Sequence, residues 1–206
     1  SETELKALVA ILREHQLLVI ADEIYAELVY DAKHTSMARL LPEQTVLISG
    51  VSKSHAMTGY RIGYVVGPAE LMKQVGKAHQ AMVATAPGPM MAGALEALRN
   101  GREDPEKMRV VYEERRDLVL AGLAEAGFTA AQPGGAFYIF AKIPDFLNTN
   151  DTEFVYDLAD TVKLGVAPGS IFGAGGEGYI RISYAASTEN LKSAITRLKH
   201  YVDLRK

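Results

Sequence analysis

Lys53 and Arg61 stand eight residues apart in the stretch Gly50–Val51–Ser52–Lys53–Ser54–His55–Ala56–Met57–Thr58–Gly59–Tyr60–Arg61–Ile62–Gly63. A lysine in partly apolar surroundings can present a neutral amine, a nucleophile able to attack a carbonyl. An arginine offers a fixed cation with a planar fork of donors, suited to phosphate. The pair reads as a covalent anchor with an anion clamp, or as two solvated surface cations. Upstream, Asp22 and Tyr25 sit in Ala21–Asp22–Glu23–Ile24–Tyr25. A carboxylate at the end of a buried strand wants a cationic or hydrogen-bonding partner, because burying it alone is costly. An Asp capping the next turn, with Tyr25 as half-buried packing, accounts for the same residues. Downstream, Arg181 lies within Tyr179–Ile180–Arg181–Ile182–Ser183–Tyr184. A guanidinium inside a short apolar strand calls for an anion, unless it points outward from an edge.

These side chains need strands and loops to hold them. Leu17–Leu18–Val19–Ile20 runs apolar without alternation, which predicts a strand buried on both faces. Thr45–Val46–Leu47–Ile48 predicts a second buried strand. Asp22 and Lys53 follow these two runs, and loops at strand ends are where α/β folds place chemistry. Ser1 reads as an N-cap, opening a helix whose apolar face is Leu5, Leu8, Val9, Ile11 and Leu12. Residues 31–44 form a loop, and Arg61 to Val66 a strand with a turn behind it. Helices are predicted over 69–79 and 90–98, with Ala86–Pro87–Gly88–Pro89 as the break between them. Asp104–Pro105 restarts a long, charged helix that reaches about Glu125, with Gly127 as its stop. Beyond it come a strand at 137–140, a helix at 153–164, a strand at 179–184 and a last helix capped by Ser187. The Gly-rich segment 173–178 does not follow a strand and open a helix, which rejects a nucleotide fingerprint; a loop near a site, or a turn, remains.

The 206 residues are 48% apolar, enough for a proper core, and carry a net charge of −3. Nothing in that balance points to a nucleic-acid or membrane surface. Cysteine is absent, which excludes a disulfide framework and thiolate metal sites, and the five histidines lack ligand spacing. No apolar run reaches membrane-spanning length and no signal pattern opens the chain, so the expectation is a cytoplasmic protein. The chain opens on a helix cap with no initiator methionine, which reads as a start inside a larger fold.

The lysine stretch resembles the Schiff-base signature of the class I/II (fold type I) pyridoxal-phosphate-dependent aminotransferases: small, apolar, Ser or Ala, Lys, then Met-x-Gly-aromatic-Arg-apolar-Gly. Met57 to Gly63 follows it throughout, although the family more often has Trp where Tyr60 stands. Asp22 and Tyr25 match the family's Asp-x-x-Tyr. Arg181 matches the arginine of its C-terminal strand, after the similar Pro168–Gly169–Ser170–x–Phe172–Gly173.

The resemblance implies an α/β fold: residues 1–110 as the C-terminal portion of the large cofactor-binding domain, a mostly parallel sheet with helices, and 111–206 as a small C-terminal α/β domain. It implies pyridoxal 5′-phosphate as cofactor, held covalently by Lys53. Asp22 would bond the ring nitrogen, Tyr25 the phenolic oxygen and Arg61 the phosphate, and no metal would take part. Arg181 would grip the substrate's α-carboxylate, and the freed Lys53 amine would move the α-proton. The substrates would be an L-amino acid, aspartate or aromatic, and a 2-oxo acid, in a homodimer. The match corresponds to the C-terminal half of the family's usual subunit. The family's other half supplies a phosphate-binding helix N-terminus and a ring-stacking aromatic, so the chain alone is expected to be inactive. A carbon–sulfur lyase of the same fold and the effector domain of an aminotransferase-like transcription regulator are the alternative readings.

Overall fold

Helix α1 (Glu2–Glu14) starts on a capping box. The Ser1 hydroxyl accepts from the Glu4 N–H, and the Glu4 carboxylate reaches back to the N-terminal ammonium. Its face of Leu5, Val9 and Leu12 packs on Met37 and Leu41, around helix α2 (Met37–Leu40), together with Val19 and Ala21. Strand β1 (Val19–Asp22) runs parallel to β2 (Thr45–Gly50), in register from Val19 opposite Thr45 to Asp22 opposite Ile48. The Gln44 amide locks the approach to β1 by donating to the carbonyls of Leu12 and Leu17, at 3.2 and 2.8 Å. A short helix α3 (Val51–Ser54) follows β2 directly, and a 3₁₀ turn, Thr58–Tyr60, leads to β3 (Gly63–Val66). Strand β3 is antiparallel to β2, pairing Gly50 with Gly63. A Cβ on Gly50 would lie 2.8 Å from the Ile62 carbonyl oxygen, so only glycine allows the two strands to close there. Helices α4 (Ala69–Met82) and α5 (Gly88–Asn100) complete this part.

The computed structural model describes all of residues 1–206 and divides into two units, Ser1–Arg109 and Val110–Lys206. Helix α6 (Asp104–Glu125) contains the division. In the second unit four strands form an antiparallel sheet in the order β4-β5-β7-β6. They are β4 (Thr129–Ala130), β5 (Tyr138–Lys142), β6 (Ala167–Pro168) and β7 (Tyr179–Ser183). Ile139, Ala141 and Ile180 turn to one face and are fully buried, with helices α7 (Asp151–Val162) and α8 (Thr188–Asp203) supplying Phe154, Leu158, Leu198 and Val202 to the same core. Burial of each such aliphatic or aromatic side chain is worth roughly 1.5–3 kcal/mol. Asn150 and Ser187 cap these helices through their side chains. Gly127, at φ +87°, turns the chain out of α6.

One expectation is corrected here. The Leu17–Ile20 run does not become a strand buried on both faces: β1 spans Val19–Asp22 and Ile20 is 68% exposed. β1 has one neighbour, and α1 and α2 cover only the face of Val19 and Ala21. An apolar run reports what a strand can bury; the elements packed against it decide what it does bury. No helix is long and apolar enough to cross a membrane.

Candidate active site

Asp22 and Lys53 leave adjacent parallel strands at the same end. Asp22 is the last residue of β1 and Lys53 is the third residue of α3, which follows β2 without a gap. Parallel pairing therefore brings together two residues far apart in the chain. Tyr25, in the turn after β1, offers its ring to the lysine: Lys53 Nζ is 6.0 Å from the ring centroid. This is a cation–π distance at the outer limit of the useful range.

The backbone around Lys53 is tied down on both sides. The Thr58 hydroxyl donates to the Ser52 carbonyl at 2.9 Å. Buried Ser54 lies 3.4 Å from the Gly50 carbonyl and 2.8 Å from His55 Nδ1. His55 Nε2 meets the Gly101 carbonyl at 3.2 Å, and a carbonyl only accepts, so Nε2 carries the hydrogen. In a neutral ring that leaves Nδ1 to accept from the Ser54 hydroxyl.

Asp22 corrects a second expectation. Its carboxylate is exposed rather than buried, and Oδ1 accepts from the Ile24 N–H at 3.2 Å, the turn-capping geometry. It shares the open face of the sheet with Ile20. The carboxylate beside it, Glu23, is the more enclosed one, its side chain 9% exposed, a role sequence reasoning did not assign. Glu23 Oε1 accepts from the Ser36 hydroxyl and the Met37 N–H, at 3.0 and 2.9 Å, while Oε2 meets His34 Nε2 at 2.9 Å. These bonds fasten the turn between Asp22 and Tyr25 to the start of α2. The N-cap serine at 36 was the available signal, since a capped helix start is rich in donors. Arg61 ends the 3₁₀ turn in the left-handed region, at φ 56°, and its exposed guanidinium donates to the Thr58 carbonyl at 3.0 Å. A cleft of about 470 Å3 has none of Asp22, Tyr25, Lys53 and Arg61 in its lining, which includes their chain neighbours Glu23, Ile24, Ala26 and Ser54.

Arg181 belongs to the second unit. It stands on β7 opposite Phe140 of β5, with Tyr138 diagonally across on the same face. Its guanidinium carbon lies over the Tyr138 ring at 4.3 Å and over the Phe172 ring at 4.1 Å. Within the fold the guanidinium is received by these two aromatic rings. Neither ring was singled out from the sequence, because their proximity depends on strand register and on the 3₁₀ turn Gly169–Phe172.

The amino-acid chain matches the family described as aminotransferase class I and II over residues 1–198. It is 42% identical over 192 residues to an aspartate aminotransferase of Pyrococcus abyssi, covering 90% of this chain and 49% of that protein. To an aspartate aminotransferase of Bacillus subtilis it is 38% identical over 212 residues, covering 98% and 53%. Among solved structures, an aromatic aminotransferase from Pyrococcus horikoshii superimposes with a TM-score of 0.93 at 36% identity, covering all of this chain and 56% of that one. The chain spans about half the length of the curated relatives it matches. With a family match along nearly its whole length, and an α/β fold shared with solved aminotransferases, the chain belongs to the class I and II aminotransferases.

Proposed function

We propose that the intact protein transfers an amino group between an L-amino acid and a 2-oxo acid with pyridoxal 5′-phosphate as cofactor. The observation that carries the reading is that Asp22 and Lys53 follow adjacent parallel strands, with the Tyr25 ring 6.0 Å from the lysine nitrogen. This donor set suits a phosphorylated pyridine aldehyde: an amine to condense with it, a carboxylate for its ring nitrogen and a phenol for its ring oxygen. Arg61 adds a guanidinium for the phosphate. Bound there, the cofactor would supply a sink for electrons released at the substrate's α-carbon.

The chain's own residues do the rest. Lys53 Nζ would hold the cofactor, and its amine would serve as the base for the proton on the substrate Cα. Asp22 would hold a proton on the ring nitrogen through its negative charge. Arg181 binds the α-carboxylate through two nitrogens in one plane. Residues 1–110 act as the cofactor-binding portion and 111–206 as the small domain. Aspartate or an aromatic amino acid is the preferred donor in this reading, supported by similarity to relatives named for those substrates. The reading extends to a homodimer working in the cytoplasm.

Borohydride reduction of the cofactor-loaded intact protein, followed by peptide mapping, is expected to find the pyridoxyl group on Lys53. Label spread over surface lysines such as Lys73 and Lys77 overturns the assignment.

A further inference from the structure

We propose that Tyr138 and Phe172 are positioning residues that hold the Arg181 guanidinium by its faces and leave its nitrogen edge free for a planar carboxylate. The inference rests on the reading that Arg181 binds the substrate's α-carboxylate.

A guanidinium has two kinds of surface. Its faces are weakly hydrated and stack on aromatic rings, while its N–H groups point outward in the molecular plane. A carboxylate is bound from the edge, in that plane. With ring centroids at 4.3 and 4.1 Å from the guanidinium carbon, the two rings engage the cation without consuming the hydrogen bonds a carboxylate needs. A free arginine side chain loses much rotamer freedom when it is immobilised by a ligand. Stacking immobilises it beforehand, so less freedom is lost on binding.

The rings are themselves held. Tyr138 is fixed by β5–β7 register, two residues from the Phe140–Arg181 pair. Phe172 ends the 3₁₀ turn whose Ser170 N–H donates to buried Asp151 at 2.6 Å, and its ring meets Phe140 edge-on at 6.1 Å. Gly169 and Gly176 touch backbone to backbone beneath it: a Cβ on Gly169 would lie 2.2 Å from the Gly176 carbonyl oxygen. The turn that carries Phe172 is thus tied to α7 through Asp151 and packed against Gly176.

The test uses the intact protein labelled with ¹⁵N-arginine. Ring currents from two faces should shift the Arg181 Nε–H resonance upfield, identified by its loss in R181K. Phe172→Leu and Tyr138→Leu should each move it back toward the free-arginine position, and Tyr138→Phe should leave it in place. Titration with pyruvate, against sodium chloride at equal ionic strength, then reads carboxylate binding at the same resonance. Phe172→Leu should weaken it about two- to fivefold, the range of an exposed cation–π contact, with Tyr138→Phe within a factor of about two of wild type. A wild-type Arg181 that pyruvate does not perturb sinks the carboxylate assignment, and this inference with it. Binding present in wild type and equal in Phe172→Leu and Tyr138→Leu sinks the positioning role alone. Because Phe172 is half exposed, its replacement leaves the core intact, and unchanged Ile139 and Ile180 amide shifts verify that.

Discussion

Replacing Asp151 by Asn isolates the charge that anchors the 3₁₀ turn of the second unit. Asp151 is the first residue of α7, 5% exposed, and its Oδ2 accepts from the Ser170 N–H at 2.6 Å. Burial opposes its charge. Hydrogen bonds from the Ser170 backbone and hydroxyl and from the N–H groups at the start of α7 outweigh that and hold the carboxyl below the ordinary value of 3.8. Asn keeps the size and one accepting oxygen but removes the charge. A hydrogen bond to a charged group contributes about 1.5–3 kcal/mol and a neutral one about 0.5–1.5, so the exchange costs about 1 kcal/mol. Losing an anion at a helix N-terminus costs about 0.3–1 kcal/mol more. Asp151→Asn is therefore expected to destabilise by about 1–2 kcal/mol at pH 7. A carboxyl depressed in the folded state contributes stability above its unfolded value and loses it as pH falls through its folded value. The gap between wild type and Asp151→Asn should hold from pH 7 to 5 and close below about pH 3.8. Urea unfolding followed by circular dichroism at pH 7, 5 and 2.5 measures it. A gap of the same size at pH 7 and 2.5 refutes the charge-based account.

Other outcomes follow from individual contacts. Tyr201 is buried, and burial together with its 2.6 Å hydrogen bond to Asp157 pushes its hydroxyl up to about 12. Its contribution is present below pH 10 and lost as pH rises toward 12. An ultraviolet titration should show a late tyrosine that is missing in Tyr201→Phe. Gly50→Ala should destabilise the first unit by about 1–3 kcal/mol, because the new methyl meets backbone at 2.8 Å; an unchanged urea midpoint contradicts it. In the intact enzyme Asp22→Ala should lower turnover by orders of magnitude while Lys53 still takes the cofactor covalently. Near-normal turnover would make Asp22 a turn cap only, the bond it makes to Ile24. Arg181→Lys loses the planar fork, at about 1.5–3 kcal/mol for each lost bond. The penalty should appear with amino acids and vanish with the corresponding amines, and equal losses for both contradict a carboxylate role.

The composition and order of the chain already contain much of this protein. The caps at Ser1 and Ser187 and the long helix from Asp104 to Glu125 are local matters of hydrogen bonding and periodicity, and the structure has them where the pattern puts them. The family is legible for a similar reason, since Lys53, Arg61 and the glycines between Gly50 and Gly63 form one unbroken segment. Exposure was not legible. Ile20 and Asp22 read as buried, yet β1 has one neighbour and one covered face, and burial is set by neighbours that no local window contains. Nor could the sequence say which carboxylate of Asp22–Glu23 turns inward: successive strand-end side chains point to opposite sides, and only the packed α2 loop supplies donors for Glu23. The two rings over Arg181 come from residues 9 and 43 positions away in the chain. Strand register and the turn anchored by Asp151 bring them there, because a cation–π contact of about 4 Å exists only once both backbones are fixed.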